Sequence, residues 1–417
     1  MNIMFLSHYF PPEVNAPATR TFEHCRRWVS AGHHVTVVTC APNCPEGRVY
    51  EGYKNKLIQE EIVDGIRVVR LWTYIAANKG TVRRIINYLS FMVSALFYGM
   101  RAPKPDILLA TSPQFFCGLA GAVLGRIRCI PFLLEIRDIW PESITAVGAM
   151  RNKRLLRFLE RLEKKLYKLA DRIVTVGDGY RDQLIRKGVS EDKLFVIVNG
   201  IDPKVFVPVE PDQSLKDKLK LNHKYVCSYI GTIGMASGLE IVLEAAAKLN
   251  NSGQTDIAFL LVGDGADREK LQKKAEDCHL RNVIFTGRQP KDRIPALFAI
   301  SDVCLVHLIK QELFKTVLPS KLFEAAGMGK PILLGVEGEA VKMLQKWQAG
   351  ITFEPENVEE FIKALLELYE DRHLGRQMGE SGRKYVIAHY NRDTLAQDYL
   401  TLLRFVKSTC REKQNTR

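Results

Sequence analysis

The chain has 417 residues, 46% hydrophobic and 26% charged, which excludes a disordered protein and makes two domains the starting expectation. Its formal net charge of +13 is uneven: up to Gly200 there are 29 Lys and Arg against 18 Asp and Glu, and beyond it 31 against 29. A surplus on one side calls for an anionic partner of the first half, whether phospholipid, phosphorylated acceptor or nucleic acid, with an ordinary basic surface as the plainer reading.

In chain order, residues 2–6, 35–39, 107–110, 132–136, 173–176 and 194–198 read as buried strands. Helical patterns fall between them at 18–30, 81–101, 115–126, 151–170 and 179–187. Asn199-Gly200-Ile201-Asp202 and the prolines at 203, 208 and 211 then read as an interdomain linker, 201–222. The alternation restarts with strands at 225–230, 257–262, 283–285, 303–306 and 332–334, and helices at 239–249, 266–279, 292–300 and 320–327. Helices at 358–369, 373–389 and 394–406 close the chain. This predicts an α/β protein of two doubly wound domains, 1–200 and 223–390, facing a cleft, with a terminal helix near 391–410 packing back on the first.

The first residues lack a basic leader, so no secretory signal is expected. The longest apolar stretch, 85–100, is broken by Asn87, Ser90 and Ser94 and falls short of the roughly 18–20 residues of a membrane span. The cysteines include no Cys-x-x-Cys pair, and Cys40 and Cys44 after His33 and His34 lack the spacing of a zinc site. A reducing cytoplasm is expected.

Strand 225–230 runs into Gly231-Thr232-Ile233-Gly234, and strand 257–262 into Gly263-Asp264-Gly265. Glycines at such turns let backbone N–H groups approach a phosphate, although turn geometry alone also explains them. Neither is a Walker loop or a complete Gly-x-Gly-x-x-Gly, which argues against ATPase and dinucleotide chemistry. In Pro319-Ser320-Lys321, Ser320 reads as an N-cap, and Lys321 in the first turn opposes the helix dipole unless an anion is present. Glu324, one turn on, can accept hydrogen bonds from vicinal hydroxyls such as those of a ribose. A surface Lys–Glu pair is the bland alternative.

Taken in order, several segments resemble glycosyltransferase family 4, the retaining nucleotide-sugar enzymes of GT-B fold. They are Phe10-Pro11-Pro12-Glu13, residues 32–39, Asn199-Gly200-Ile201-Asp202 with Phe206, residues 261–265, Phe285-Thr286-Gly287, and Pro319-Ser320-Lys321 through Glu324 to Gly329-Lys330-Pro331. Within the family the chain looks like bacterial O-antigen, capsule and exopolysaccharide enzymes, especially N-acetyl-fucosamine-type transferases. The resemblance implies a UDP-linked donor, its ribose on Glu324, its phosphates near Lys321, and contacts from Gly287 and Arg288. It also implies retention of configuration. Thr316 stands where many relatives carry a first glutamate, so a different sugar contact is expected.

Glu135-Ile136-Arg137-Asp138-Ile139-Trp140-Pro141-Glu142 follows a buried strand. Many relatives have His-Asp where this chain has Arg137-Asp138. Asp138 is expected to orient an acceptor hydroxyl and Arg137 to meet an anion, against a merely structural pair. Trp140 and Glu142 in the same loop, and Asn15 and Arg20 in the turn that replaces the family's glycine loop, are expected acceptor contacts. No Asp-x-Asp occurs, so a metal-independent reaction without cofactor is expected.

Residues 151–170 carry eight Lys or Arg and two Glu over an apolar face. Arg154, Arg157, Arg161 and Lys165 suit an anionic inner-membrane surface, and residues 81–101 offer a second interfacial helix. The expectation is a peripheral protein on the cytoplasmic face, acting on a polyprenyl-diphosphate-linked saccharide. A UDP-N-acetylhexosamine epimerase is the enzymatic rival. A nucleic-acid-binding protein is the other, without the aromatic or zinc pattern that such modules show.

Overall fold

The computed structural model describes residues 1–44, 46–76, 81–112, 114–139 and 153–415. They form two compact units, Met1–Val198 with Arg392–Arg417, and Asn199–Asn391.

The first unit is built on β1 (Asn2–Leu6), β2 (His34–Cys40), β3 (Ile58–Val63), β4 (Ile66–Leu71), β5 (Ile107–Thr111), β6 (Phe132–Ile136), β7 (Arg172–Thr175) and β8 (Leu194–Val196). Their order is β3-β4-β2-β1-β5-β6-β7-β8, parallel except for β3–β4. All of β5 and β6 is buried, as expected of strands covered on both faces. The helices are α1 (Ala16–Ser30), α2 (Thr81–Arg101), α3 (Phe115–Arg128), α4 (Lys153–Leu169) and α5 (Asp178–Arg186).

Residues of α2, α3 and α4 share one apolar cluster with the sheet, including Phe91, Ala95, Leu124, Phe132 and Leu166. Elsewhere Trp28 of α1 stacks on Phe5, ring centroids 6.2 Å apart, and meets the edge of Tyr399 at 5.2 Å. Trp28 Nε1 donates to the Ala396 carbonyl at 3.1 Å, which ties the C-terminal helix to the first unit.

The β3–β4 hairpin is absent from the sequence-based strands, and its signal is legible: Asp64-Gly65 between two β-branched runs. Both turn residues have positive φ, 49° and 77°, and Val63 pairs with Ile66, the geometry of a two-residue type I′ turn. The edge it makes is amphipathic, with alternate β3 residues exposed.

The second unit holds β9 (Tyr225–Ile230), β10 (Ile257–Val262), β11 (Val283–Gly287), β12 (Val303–His307), β13 (Ile332–Gly335) and β14 (Gly350–Thr352). They are all parallel, in the order β11-β10-β9-β12-β13-β14. Its helices are α6 (Gln213–Lys218), α7 (Glu240–Asn251), α8 (Arg268–Asp277), α9 (Ile294–Ala299), α10 (Ser320–Gly327), α11 (Glu339–Trp347), α12 (Val358–Glu370) and α13 (Arg372–His389); α14 (Arg392–Asn415) belongs to the first unit.

Residues 201–222 are not a free linker. Ile201 is fully buried, its N–H donates to the Tyr390 carbonyl at 2.8 Å, and its side chain lies where a Cβ on Gly327 would come within 2.7 Å. Asp212 caps α6 by accepting from the Ser214 and Leu215 N–H groups. The prolines turn the chain, but buried Ile201 and Phe206 anchor it in the second unit. No helix among the described residues is long and apolar enough to cross a membrane.

Candidate active site

In the second unit the carboxyl ends of β9, β10 and β11 form a stepped edge. The Gly231 N–H donates to the Val262 carbonyl at 2.9 Å, and the Gly263 N–H donates to the Gly287 carbonyl at 3.0 Å. A Cβ on Gly263, whose φ is 137°, would stand 1.9 Å from the Gly231 carbonyl oxygen, so no side chain fits there. Tyr229 and Ser237 hydroxyls both reach the Thr232 carbonyl, at 2.7 and 2.9 Å, and hold the turn from below. Thr232 itself is exposed.

Lys321 reaches this edge. Its Nζ lies 3.7 Å from the centroid of the Tyr229 ring and 3.1 Å from where a Cβ on Gly231 would stand. It makes no ion pair among the described residues, so a cation in the first turn of α10 is held over a glycine floor without a carboxylate. That is the electrostatic setting of an anion site.

Ser320 does not cap α10. Pro319 takes the N-cap position with extended backbone, its carbonyl accepting from the Leu322 N–H at 3.1 Å, and Ser320 is the first helical residue. Proline already supplies the entry geometry, so the helix starts one residue earlier. Glu324 lies half-buried on the same helix. Thr316 ends a 3₁₀ turn, and its hydroxyl donates to the Leu313 carbonyl at 3.2 Å. Arg288 is exposed beyond Gly287.

Arg268, which sequence reasoning missed, adds a second cation. Its Nη1 lies 3.3 Å from the Cβ position of Gly287 and 3.5 Å from Asp264 Oδ1, while its buried Nε has no hydrogen-bond partner among the described residues. The visible signal is an arginine opening the helix that follows Gly263-Asp264-Gly265.

In the first unit Arg20 is not an open acceptor contact. It is buried, its Nε donates to Glu135 Oε2 at 3.0 Å, and its other nitrogens donate to the Ile197 and Val198 carbonyls at 2.7 and 2.8 Å. Burial pushes the Glu135 carboxyl up, but the Arg20 and Arg137 charges and hydrogen bonds from Arg20 and Thr111 outweigh it and hold it below its ordinary range. Asn15 is the N-cap of α1, accepting from the Ala18 N–H at 2.9 Å. Trp140 and Glu142 lie outside the described residues.

Arg137 and Asp138 follow β6. The Arg137 N–H donates to Ser112 Oγ at 3.2 Å, and the Ser112 hydroxyl donates to the Asp138 carbonyl at 3.4 Å. Burial pushes the Arg137 guanidinium down to about 10, against the pull of Glu135, and its buried Nη1 has no hydrogen-bond partner among the described residues. Among the other groups in this state, two also follow strands of the first sheet: His8 Nδ1 after β1, and both amide atoms of Gln114 after β5. Strands β1, β5 and β6 are neighbours, so three unmet polar groups follow adjacent strand ends. A buried polar group left unpaired costs about 1–3 kcal/mol, which a polar ligand or water at that edge would recover. His8 and Gln114 are absent from the sequence-based site; a polar residue just after a buried parallel strand is the sign that marks them.

Of the basic residues expected on a lipid surface, Arg154, Arg157, Arg161 and Lys165 are all exposed on α4, while Leu159 and Leu166 of the same helix are buried.

Two family models match. The glycosyl transferase 4-like domain covers residues 15–200, and the glycosyl transferases group 1 domain covers 212–385. The WcaI protein of Escherichia coli, named for a glycosyl transferase of colanic acid biosynthesis, is 26% identical over 377 residues, 88% of this chain and 91% of its own. The glycosyltransferase MJ1069 of Methanocaldococcus jannaschii is 20% identical over 96% of this chain and 97% of its own. Among solved structures, sucrose-phosphate synthase from Thermosynechococcus elongatus aligns with a TM-score of 0.76 at 16% identity, covering 98% of this chain and 100% of the other. Anabaena HepE in complex with UDP and glucose aligns with a TM-score of 0.73 at 17% identity, covering 97% and 99%. With one doubly wound unit matched by the 4-like domain and the next by the group 1 domain, the chain belongs to the family 4 glycosyltransferases of GT-B fold.

Proposed function

We propose that the protein transfers a sugar, with retention, from a UDP-linked donor to a lipid-linked saccharide in bacterial surface polysaccharide synthesis. The observation that carries the donor half is Lys321 poised over Gly231 and Tyr229, without a carboxylate partner among the described residues. UDP in the HepE complex supports the choice of nucleotide, and the naming of WcaI supports the polysaccharide context. The transferred sugar is proposed to be N-acetyl-fucosamine or a similar N-acetyl-hexosamine.

In this reading Glu324 takes the ribose hydroxyls, and Lys321 with Arg268 meets the diphosphate. As the glycosidic bond to the diphosphate breaks, negative charge grows on the leaving oxygen. Fixed cations held over the glycine floor stabilise it without reorganising, the role a metal plays in transferases with paired carboxylates. We accordingly propose a metal-independent reaction. In the first unit Asp138 and the unmet groups of Arg137, Gln114 and His8 would receive the acceptor's polar atoms. The basic face of α4 would sit on the cytoplasmic leaflet, where anionic lipid favours it.

The test is a screen of nucleotide-sugars for thermal stabilisation, followed by product analysis with a polyprenyl-diphosphate-linked saccharide. Stabilisation by UDP-sugars and an elongated lipid product are expected. Interconversion of UDP-N-acetylhexosamines without acceptor would make the protein an epimerase instead. Salt-dependent RNA binding with no UDP-sugar response would overturn the reading altogether.

A further inference from the structure

Helix α2 presents an unusual outer face. It buries Phe91, Ala95 and Gly99 toward the sheet and α3, while Ile86, Leu89, Val93, Phe97 and Met100 recur at helical spacing on the opposite side. All five are exposed, Phe97 by 62%. An ordinary solvent-facing helix carries polar residues at such positions, and a contiguous apolar stripe marks a surface that meets something else.

The stripe continues beyond the helix. Ser94 Oγ donates to the Trp72 carbonyl at 2.7 Å, and the Tyr74 N–H donates to Ser90 Oγ at 2.9 Å, so the segment after β4 lies along α2 with Trp72 and Tyr74 exposed. On α3, Leu124 packs against Gly99, and Val123 and Ile127 are exposed. Exposed Arg83 and Arg84 stand at one end of α2, and Arg101 at the other, its guanidinium 5.9 Å from the Phe97 ring centroid.

The charge is one-sided. From Gly65 to Leu134 the sequence holds one acidic residue, Asp106, and Lys407 pairs with it at 2.7 Å. A second copy of the chain docking face to face would bring these arginines together, and among the described residues none of the three is paired with a carboxylate. Anionic headgroups over acyl chains answer both the arginines and the stripe, and exposed Trp and Tyr at the margin suit that boundary.

We propose that the outer face of α2, with Trp72 and the arginines at its ends, is the surface by which the protein lies on a bilayer carrying anionic headgroups. This rests on the lipid-linked acceptor reading and adds a longer apolar element to the basic face of α4, on which Phe158 is exposed. The helix lies flat, its five apolar side chains entering the headgroup boundary and its arginines staying among the phosphates.

The experiment is co-flotation of the full chain with phosphatidylcholine vesicles, with and without phosphatidylglycerol. Val93→Ser with Phe97→Ser changes only exposed positions, and is expected to weaken binding to the anionic vesicles by at least about tenfold, since each buried methylene adds to affinity. UDP affinity and melting temperature should be unchanged. Brominated acyl chains should quench the parent's fluorescence and quench Trp72→Phe less, which reports on insertion at this face. Undiminished flotation of the double serine variant overturns the proposal, as does a parent dimer that the two serines split while neither form binds vesicles. Sugar transfer to a water-soluble acceptor analogue is measured alongside. If that activity persists while vesicle binding is untouched, the docking surface alone is wrong; if the parent transfers no sugar to any acceptor, the functional reading fails instead.

Discussion

The Lys321 ammonium rests on the face of the Tyr229 ring, 3.7 Å from its centroid, and from there reaches over Gly231. A residue from the first turn of α10 thus stands on a ring from the carboxyl end of β9. The ring holds the cation in place without neutralising it, which a carboxylate would do.

Replacing Lys321 by Gln keeps much of the side chain's reach and removes the charge. UDP affinity should fall by roughly 1.5–3 kcal/mol, the range for a hydrogen bond to a charged group. Isothermal calorimetry on folded variant decides it. Tyr229→Phe retains the ring and should weaken UDP far less, so equal losses in the two variants would argue against a direct phosphate contact.

Glu324→Ala should weaken UDP by about 1–3 kcal/mol through loss of the ribose contact. A nucleotide lacking both ribose hydroxyls should bind parent and variant alike. Unchanged UDP affinity in the variant sinks the assignment.

Arg20 and Glu135 predict a different phenotype. Arg20→Ala takes the ion-pair partner from the buried Glu135 carboxylate and a donor from the Ile197 and Val198 carbonyls, and breaking a buried pair typically costs about 3–5 kcal/mol. Denaturant unfolding should show that loss. A variant as stable as the parent but defective toward acceptor would restore Arg20 to the acceptor site.

Much of the architecture was legible in the sequence because buried parallel strands are continuous apolar runs: residues 2–6, 132–136, 225–230 and 257–262 coincide with β1, β6, β9 and β10. The edge hairpin escaped because β3 reads Ile-Gln-Glu-Glu-Ile-Val, half polar on an exposed edge, and only Asp64-Gly65 announces it. At the site, Lys321 and Gly231 are individually visible as residue types, but their proximity depends on strand order. Arg20 shows the converse. Its sequence position suits a ligand contact, while its chemistry is fixed by Glu135, 115 residues away in the chain. Buried unmet groups such as Gln114 carry no periodic signal at all.

Metal independence is checked directly. Activity should survive EDTA if, as proposed, Lys321 and Arg268 supply the positive charge at the leaving group. If chelation abolishes turnover and magnesium or manganese restores it, the electrostatic account is wrong.

The last prediction concerns acid. His8 is enclosed by Tyr9, Tyr88 and Phe91, and burial lowers it to about 3, with Asn87 opposing. Burial also lowers His24 well below its ordinary value, helped by the charges of Arg20, Arg392, Arg27 and Arg137. His307 is lowered by burial and by Lys321, against its hydrogen bond to the Ser237 carbonyl and the charge of Glu356. Its Nε2 accepts from the Glu356 N–H at 3.1 Å, so Nδ1 carries the proton donated to Ser237 at 2.8 Å. All three shifts have one sign: the folded state keeps these rings neutral, while the unfolded chain protonates them near pH 6.5. Stability is therefore full above that pH and is lost as pH falls toward the folded values, at up to about 1.4 kcal/mol per unit for each ring. The depressed Glu135 carboxyl adds a loss of the same sign at lower pH. Urea unfolding at pH 7.5, 6 and 5 should show the midpoint falling, and His24→Phe should flatten the slope. A midpoint that holds steady from 7.5 to 5 would mean that these rings are protonated in the native protein, contrary to the packing around them.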